Sequence, residues 1–256
     1  MEPVPTSFHL GPLTFHTYGF GLAIAMYVAY RYGEHRLKQR GIPTEHFASF
    51  TITLIVVALI GARVAHVLTN LGLYSSHPLK VFAVWQGGLA SFGALAAAIP
   101  VGWVLARRWW LETGLMAFAD ALIPAVVLGW AIGRFLGPQF MVGGGGHETH
   151  QWFGMRYAGQ EGRRVPVPLI QGLEDAALLG LLLFVEKRAA SRGPGLVTGV
   201  ALIIWGIVRA LDERLLLGQE GWTGSIGVQI AGLVMALCGV VIVLRVPRSA
   251  KTPVSN

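Results

Sequence analysis

Residues 115–137 of the chain read LMAFADALIPAVVLGWAIGRFLG, a run of 23 residues in which only Asp120 and Arg134 are charged. An apolar run of about 20 residues is long enough to cross a bilayer as a helix. Because lipid offers no hydrogen bonds to exposed backbone groups, a helix is the structure we expect for it. The whole chain is 54% hydrophobic and 13% charged, whereas soluble domains carry about 25% charged residues. We therefore predict an all-α integral membrane protein rather than a soluble helical bundle.

Apolar runs of comparable length recur along the chain, and they predict seven transmembrane helices. We predict that these helices form a single polytopic membrane domain that covers residues 1–256. The predicted spans are about 17–33, 48–72, 86–106, 115–137, 169–186, 195–213 and 222–244. The longest predicted loop lies between the fourth and fifth spans, at about 138–168.

The lysines and arginines in the loops and at the ends of the spans predict the orientation. If the N-terminus is external, twelve of them fall in cytoplasmic segments and five in external segments. Positive charge in short loops marks the cytoplasmic side of a membrane protein. We therefore predict an external N-terminus, a cytoplasmic C-terminus and an external loop at about 138–168. Loop charge also explains the net charge of +7 without nucleic acid as a partner.

The sequence shows little sign of other kinds of site. The single cysteine, Cys238, excludes an intrachain disulfide, and without a Cys or His cluster we expect no metal site. Residues 143–150, GGGGHETH, lack the spacing of a zinc protease helix and the Lys of a phosphate loop, so we expect a flexible loop with pH-sensitive residues. The first fifteen residues contain no Lys or Arg, so we expect targeting through the first span rather than a cleavable signal peptide.

Three arginines, Arg63, Arg134 and Arg209, lie inside predicted spans. A guanidinium does not lose its proton, and its insertion into the hydrocarbon region costs about 3 kcal/mol. The predicted orientation places all three in the outer half of the membrane, level with the first turns of spans one, three and five. This convergence of polar groups predicts a site for an anion, and a phosphate suits the planar fork of arginine.

Each arginine also has a structural interpretation. Arg209 and Glu213 are one helical turn apart, so they form either a structural ion pair or a pair in which Glu213 orients Arg209 toward a phosphate. Arg134 either binds the anion or extends toward the lipid headgroups. Asp120 lies about 21 Å from Arg134 along a straight helix, too far for direct pairing. Arg63 either contacts a ligand or holds the helices together.

Several short motifs, taken in order, resemble those of the prolipoprotein diacylglyceryl transferases, a family of seven-helix bacterial inner-membrane enzymes. The resemblance covers residues 14–245, nearly the whole chain. The matching motifs are His16-Thr-Tyr18-Gly19, Gly61-Ala62-Arg63, Trp85-Gln-Gly87-Gly88-Leu89, the stretch from Asp120 to Gly133-Arg134, and Gly206-Ile-Val-Arg209 with Glu213.

The resemblance implies that the protein moves the diacylglyceryl group of phosphatidylglycerol onto the lipobox cysteine thiol of a prolipoprotein, releasing glycerol phosphate. Such a reaction needs a thiolate, a base that forms it and cations on the departing phosphate, but no cofactor, metal or nucleotide. The family's two essential arginines fall on Arg134 and Arg209, and its helix-one tyrosine falls on Tyr18. The expected catalytic residues are Arg134, Arg209, Tyr18 and Glu213, and the expected substrate contacts are Arg134, Arg209, Arg63, His16, Gly87 and Gly88.

The chain departs from the family pattern where proton-transfer groups are expected. The family's catalytic histidine is replaced by Phe92, and a tyrosine four residues before the second arginine by Trp205. The Gly-Arg motif runs on to Pro138 with one residue inserted, and the family's His-Pro-x-x-x-Tyr-Glu reads VPVPLIQ at 165–171. A catalytically impaired paralogue that binds phosphatidylglycerol or lipoprotein precursors without transfer is therefore the alternative function. If the chain is active, its base is one of His16, His147, His150 and Glu174.

Overall fold

The computed structural model describes residues 5–10, 13–75, 78–82, 90–188, 192–215 and 222–247. Helices dominate this part of the chain. They are α1 Thr17–Gln39, α2 Phe47–Thr69, α3 Leu71–Ser75, α4 Ser91–Trp110, α5 Leu115–Leu136, α6 Val167–Arg188, α7 Leu196–Leu215 and α8 Trp222–Arg245. Each helix except the short α3 begins within a few residues of the first residue of a predicted span.

The prediction of an α-helical, multi-pass membrane protein is confirmed. Within the described residues, four helical segments are long and apolar enough to cross a membrane, namely Phe47–Thr69, Leu115–Phe140, Val167–Arg188 and Ile226–Arg245. The remaining long helices, α1, α4 and α7, coincide with three further predicted spans, and each carries charged residues near its C-terminus. The total of seven spans and the orientation of the termini stay predictions.

A short antiparallel hairpin precedes α1, which the helical prediction did not include. Strand β1, Ser7–Leu10, pairs with strand β2, Leu13–His16, so that Ser7 lies opposite His16. The two strands satisfy each other's backbone hydrogen-bonding groups. An extended segment therefore leads directly into the first helix.

The chain divides into two compact units. The first comprises Met1–Arg36 and Ala119–Asn256, and the second comprises Leu37–Phe118. The predicted single domain over residues 1–256 stays a prediction.

Glycines and aromatic rings hold the second unit together. A Cβ atom at Gly61 in α2 would overlap the carbonyl oxygen of Gly93 in α4, and a Cβ atom at Gly93 would overlap the carbonyl oxygen of Gly61. The two helix backbones are therefore in direct contact, as small residues allow in membrane proteins. Elsewhere in the unit, Trp110 stacks on Phe118 with ring centroids 4.2 Å apart and donates its indole N–H to the Pro43 carbonyl at 2.7 Å.

In the first unit, α7 and α8 pack through two pairs of glycines. Gly199 faces Gly239, and Gly206 faces Gly232, so that a Cβ atom at any of the four would meet backbone atoms of the other helix. This close packing fixes α7, the helix that carries Arg209.

Asp120 of α5 caps the N-terminus of α7. Its Oδ2 accepts the N–H of Gly195 at 2.7 Å, and its Oδ1 accepts the N–H and the hydroxyl of Thr198 at 2.7 and 2.6 Å. A carboxylate in this position satisfies helix donors that lack partners and interacts favourably with the helix dipole. As expected from the distance along α5, Asp120 binds α7 rather than Arg134.

The glycine-rich segment 143–150 makes hydrogen bonds to residues later in the same loop, and its expected flexibility stays a prediction. The N–H of Gly146 donates to the Val165 carbonyl at 2.9 Å. Gly145 exchanges two hydrogen bonds with the side-chain amide of Gln160, at 2.8 and 3.0 Å. Glycine is needed at residue 145 because a Cβ atom there would overlap neighbouring side chains.

Tyr157 lies in the same loop and gives the protein a predicted response to alkaline pH. The tyrosine is 2% exposed, and its hydroxyl donates to Gln139 Oε1 at 2.7 Å. Burial raises the pKa of Tyr157 from 10.0 to about 12. A group whose pKa rises on folding stabilises the fold below its unfolded pKa, and this contribution is lost as the pH increases from 10.0 toward 12.

We expect Tyr157→Phe to lower the free energy of unfolding at neutral pH by about 1 kcal/mol, because Gln139 loses its donor. The variant should also lose less stability than the wild type between pH 10.0 and about 12. Thermal unfolding of the detergent-purified proteins at neutral and alkaline pH measures both effects. Equal alkaline losses in the two proteins would contradict the prediction.

Candidate functional site

A small, partly open cavity lies between α5, α6 and α7 of the first unit. Its lining residues on α6 are spaced i, i+3 and i+4, and those on α7 are spaced i, i+3, i+4 and i+7, so each set lies on one helix face. The fold therefore brings two arginines of the predicted anion site into one cavity. The lining residues are Arg134, Gln171, Glu174, Asp175, Trp205, Val208, Arg209 and Asp212.

Glu213 orients the guanidinium of Arg209. Arg209 Nη2 donates to Glu213 Oε2 at 2.8 Å, and the Glu213 side chain is only 7% exposed. The predicted i, i+4 pair is thus formed. Arg209 Nη1 is buried and has no hydrogen-bond partner among the described residues. Since a buried donor without an acceptor costs about 1–3 kcal/mol, this nitrogen offers a position for an anionic oxygen.

Arg134 enters the cavity from α5 and lies among the charges of α6 and α7. It interacts electrostatically with the carboxyl groups of Asp175, Asp212 and Glu174, and with the guanidinium of Arg209. A position inside the cavity favours the anion-binding interpretation of Arg134 over an extension toward the headgroups. The carboxyl groups also explain how two guanidinium groups share one cavity without strong repulsion.

The carboxyl groups of the cavity differ in their hydrogen bonding. Asp212 Oδ2 accepts the amide of Gln171 at 2.9 Å, and Trp205 lines the cavity together with Asp175. The carboxyl groups of Glu174 and Asp212 lie near each other and interact electrostatically. Glu174 Oε2 is buried without a partner among the described residues.

Gln171 contributes a second open acceptor. The residue is 4% exposed, and its Oε1 has no hydrogen-bond partner among the described residues. Together with Arg209 Nη1 and Glu174 Oε2, the cavity therefore presents one donor and two acceptors without partners. These groups can bind a ligand that carries an anionic oxygen and hydroxyl or thiol hydrogens.

Sequence reasoning missed part of this site. Glu174 was considered as one of four possible bases, and Gln171 and Asp175 only as polar residues in the first turn of the fifth span, at the level of the arginines. No role was predicted for Asp212. The helical spacing of 171, 174 and 175 and of 205, 209 and 212 places each group on one face. That spacing was a usable signal once α6 and α7 were taken as neighbours.

The other predicted site residues of the first unit do not line this cavity, or their side chains lie outside the described residues. Tyr18 is in the first turn of α1, 40% exposed, and its ring lies beside Gly137 rather than in the cavity lining. His16 ends β2, and its side chain is outside the described residues, as are Gly87 and Gly88. The roles predicted for these four residues stay predictions.

Arg63 belongs to the second unit and has contacts typical of a structural residue. It is 7% exposed, its Nε donates to the Val81 carbonyl at 2.8 Å, and its Nη2 donates to the Lys80 carbonyl. The guanidinium also lies over the ring of Tyr74, 5.3 Å from the centroid. Of the two interpretations left open by the sequence, these contacts favour the one in which Arg63 stabilises the helices.

Comparison with known proteins agrees with the motif resemblance. The family model for prolipoprotein diacylglyceryl transferase matches residues 5–245. A phosphatidylglycerol–prolipoprotein diacylglyceryl transferase of Cupriavidus metallidurans is 30% identical over 220 residues, which cover 82% of this chain and 79% of that protein. The protein of the same name from Geobacter sulfurreducens is 30% identical over 216 residues, which cover 82% of this chain and 80% of that protein.

Other similarities are shorter. The protein of that name from Halalkalibacterium halodurans is 32% identical over 136 residues, which cover 53% of this chain and 46% of that protein. For this relative and several others, the chain spans about half the length of the curated protein that it matches.

Proposed function

Because the chain belongs to the prolipoprotein diacylglyceryl transferase family, we propose that it transfers the diacylglyceryl group of phosphatidylglycerol to the lipobox cysteine of a prolipoprotein. In this reaction the cysteine sulfur forms a bond to the glycerol carbon of the lipid. The bond between that carbon and the phosphate oxygen breaks, and glycerol phosphate leaves. The thiol proton is taken up by a base.

The observation that carries the proposal is the open Nη1 of Arg209 beside Arg134 in a cavity between membrane helices. A phosphodiester supplies two anionic oxygens, and hydrogen bonds between a guanidinium and such oxygens are about twice as strong as neutral ones. The phosphate gains a second negative charge when the carbon–oxygen bond breaks. Two preoriented guanidinium groups stabilise that charge more in the transition state than in the bound lipid, which is the requirement for catalysis.

Gln171 supports the assignment of the headgroup. Its open Oε1 can accept a hydroxyl hydrogen of the headgroup glycerol while its amide remains bound to Asp212. Within the proposal, the arginines hold the phosphate and Gln171 holds the glycerol. The two substrates are therefore the anionic lipid and the prolipoprotein, and membrane lipids surround the protein.

The topology belongs to the proposal as well. We assign seven transmembrane helices, an external N-terminus and a cytoplasmic C-terminus, supported by the distribution of lysine and arginine between the loops. With this orientation, Arg134 and Arg209 lie in the outer half of the bacterial inner membrane. A secreted precursor anchored by its signal peptide can reach a site at that depth.

A second candidate is the catalytically impaired paralogue, which binds the lipid or the precursor without transfer. The observation that favours it is Phe92, which stands where the resemblance implies a histidine and cannot accept a proton. The phenylalanine is 66% exposed in α4. This candidate keeps the arginine cavity and loses only the chemical step.

Complementation distinguishes the two candidates. In a strain depleted of its own transferase, we expect the wild-type chain to restore growth and Arg134→Ala to fail, although both proteins reach the membrane. Arg108→Ala is the matched control, because Arg108 is an exposed arginine near the end of α4 and should restore growth. If the wild-type chain does not restore growth but still binds labelled phosphatidylglycerol, the proposed transferase function is wrong and the impaired paralogue is favoured.

A further inference from the structure

One carboxyl oxygen in the cavity stands apart from the others. Asp212 is held by Gln171, and Glu213 is paired with Arg209. Glu174 Oε2 is the carboxyl oxygen in this cavity that is buried without a partner among the described residues. An open acceptor next to two guanidinium groups is the position that a proton-donating substrate atom would occupy.

We propose, on the basis of the proposed transfer reaction, that Glu174 is the general base that removes the proton from the lipobox cysteine thiol. The proton passes from sulfur to Glu174 Oε2. The thiolate sulfur then forms the bond to the glycerol carbon, and the electron pair of the breaking carbon–oxygen bond goes to the phosphate. Arg134 and Arg209 bind the phosphate as its charge increases.

Asp212 acts as a positioning residue for Glu174. Its Oδ2 is fixed by the Gln171 amide at 2.9 Å, and its carboxyl interacts electrostatically with that of Glu174. The other charged groups that act on Glu174 are Asp175 on its own helix and Arg134 on α5. A negative charge on Asp212 next to Glu174 favours the transfer of a proton to Glu174.

Two of the histidines considered from the sequence, His147 and His150, are less well placed. His147 and His150 are exposed in the loop between α5 and α6, and neither lines the cavity that contains Arg134 and Arg209. A base has to lie within hydrogen-bond reach of the proton that it removes. Glu174 lines that cavity, and its Oε2 has no hydrogen-bond partner among the described residues.

The test is Glu174→Gln, which keeps the size and polarity of the side chain but cannot accept the proton. With purified protein in detergent micelles, labelled phosphatidylglycerol and a lipobox peptide, we expect transfer at neutral pH to fall by about 100-fold or more. Binding of labelled phosphatidylglycerol should be unchanged. Glu112→Gln, at an exposed glutamate between α4 and α5, is the control that should retain full transfer.

The pH dependence separates a base from a structural residue. A free cysteine has a pKa of about 8.5, so raising the pH supplies thiolate without a base. The defect of Glu174→Gln should therefore shrink as the pH rises through that range, whereas a structural defect would persist. Wild-type transfer in Glu174→Gln at neutral pH, or a loss of transfer that alkaline pH does not relieve, would overturn the proposal.

A second variant covers the case in which Glu174→Gln no longer binds the lipid. Glu174→Asp keeps the carboxyl group, so it should retain lipid binding and transfer more than tenfold faster than Glu174→Gln. Equal rates in the two variants would overturn the assignment of Glu174. Absence of transfer by the wild type would instead remove the proposed function, so the two failures are distinguishable.

Discussion

Replacing Arg209 with alanine is expected to lower kcat for diacylglyceryl transfer by about 10²–10³-fold, the usual loss when one preoriented donor to a developing anion is removed. Arg209 Nη1 is buried without a partner among the described residues, while Nη2 is held by Glu213 at 2.8 Å. The open nitrogen therefore points where the phosphate would gain its second charge. Because the lipid phosphate is already anionic before transfer, the KM for phosphatidylglycerol should also rise.

Two companion variants test the geometry of this arginine. Arg209→Lys keeps the positive charge but loses the planar fork, and should fall between the wild type and the alanine variant. Glu213→Gln keeps an acceptor for Nη2 but removes the ion pair, so the guanidinium is held less firmly and the loss of kcat should be smaller. Initial rates at varied phosphatidylglycerol concentration separate kcat from KM for all three variants.

The outcome that would contradict this role is a normal KM and kcat in Arg209→Ala. A second contradiction would be full activity in Arg209→Lys, because it would show that charge alone is needed and that the orientation by Glu213 is irrelevant. In either case the Arg209–Glu213 pair would be the structural ion pair that the sequence also allowed.

Local features of the site were predictable from the sequence. The Arg209–Glu213 pair follows from a separation of four residues on one helix, and the structure has it. The helix bounds follow from the lengths of apolar runs, because lipid leaves the backbone few alternatives to a helix. The inability of Asp120 to pair with Arg134 follows from the helical rise per residue.

The neighbours of the arginines were not predictable in the same way. Glu174 of α6 and Asp212 of α7 are distant in the sequence, and their contact depends on how the two helices pack. The position of α7 depends in turn on its glycine contacts with α8 and on the cap from α5, which no local pattern reveals. The hydrogen bonds of the glycine-rich loop were not predictable for a related reason, because the partners lie up to nineteen residues apart, as in Gly146 with Val165.

The largest stability effect is expected for Asp120→Ala. The carboxylate accepts three hydrogen bonds from Gly195 and Thr198 at the start of α7, and it is 5% exposed. Hydrogen bonds to a charged group contribute about 1.5–3 kcal/mol each, and orphaned buried donors add a further cost. We expect the variant to lose about 3–5 kcal/mol of unfolding free energy, in the range observed when one partner of a buried charged contact is removed.

Thermal unfolding of the detergent-purified proteins measures this loss as a lower apparent Tm. Thr198→Val removes one of the three donated hydrogen bonds and should lower the Tm by a smaller amount. Asp120→Asn keeps one acceptor and should also be intermediate. An unchanged Tm in Asp120→Ala would show that water or backbone rearrangement replaces the cap, and that α7 does not depend on α5 for its N-terminus.

Activity distinguishes this structural role from a catalytic one. Thr198 and Arg209 are eleven residues apart on α7, about 16 Å along the helix axis. Loss of the cap should therefore leave kcat close to normal at temperatures well below unfolding, and the activity should disappear together with the folded protein on heating. A large fall in kcat at low temperature would instead show that the cap sets the position of Arg209, so that the charge of Asp120 controls the phosphate site through the length of α7.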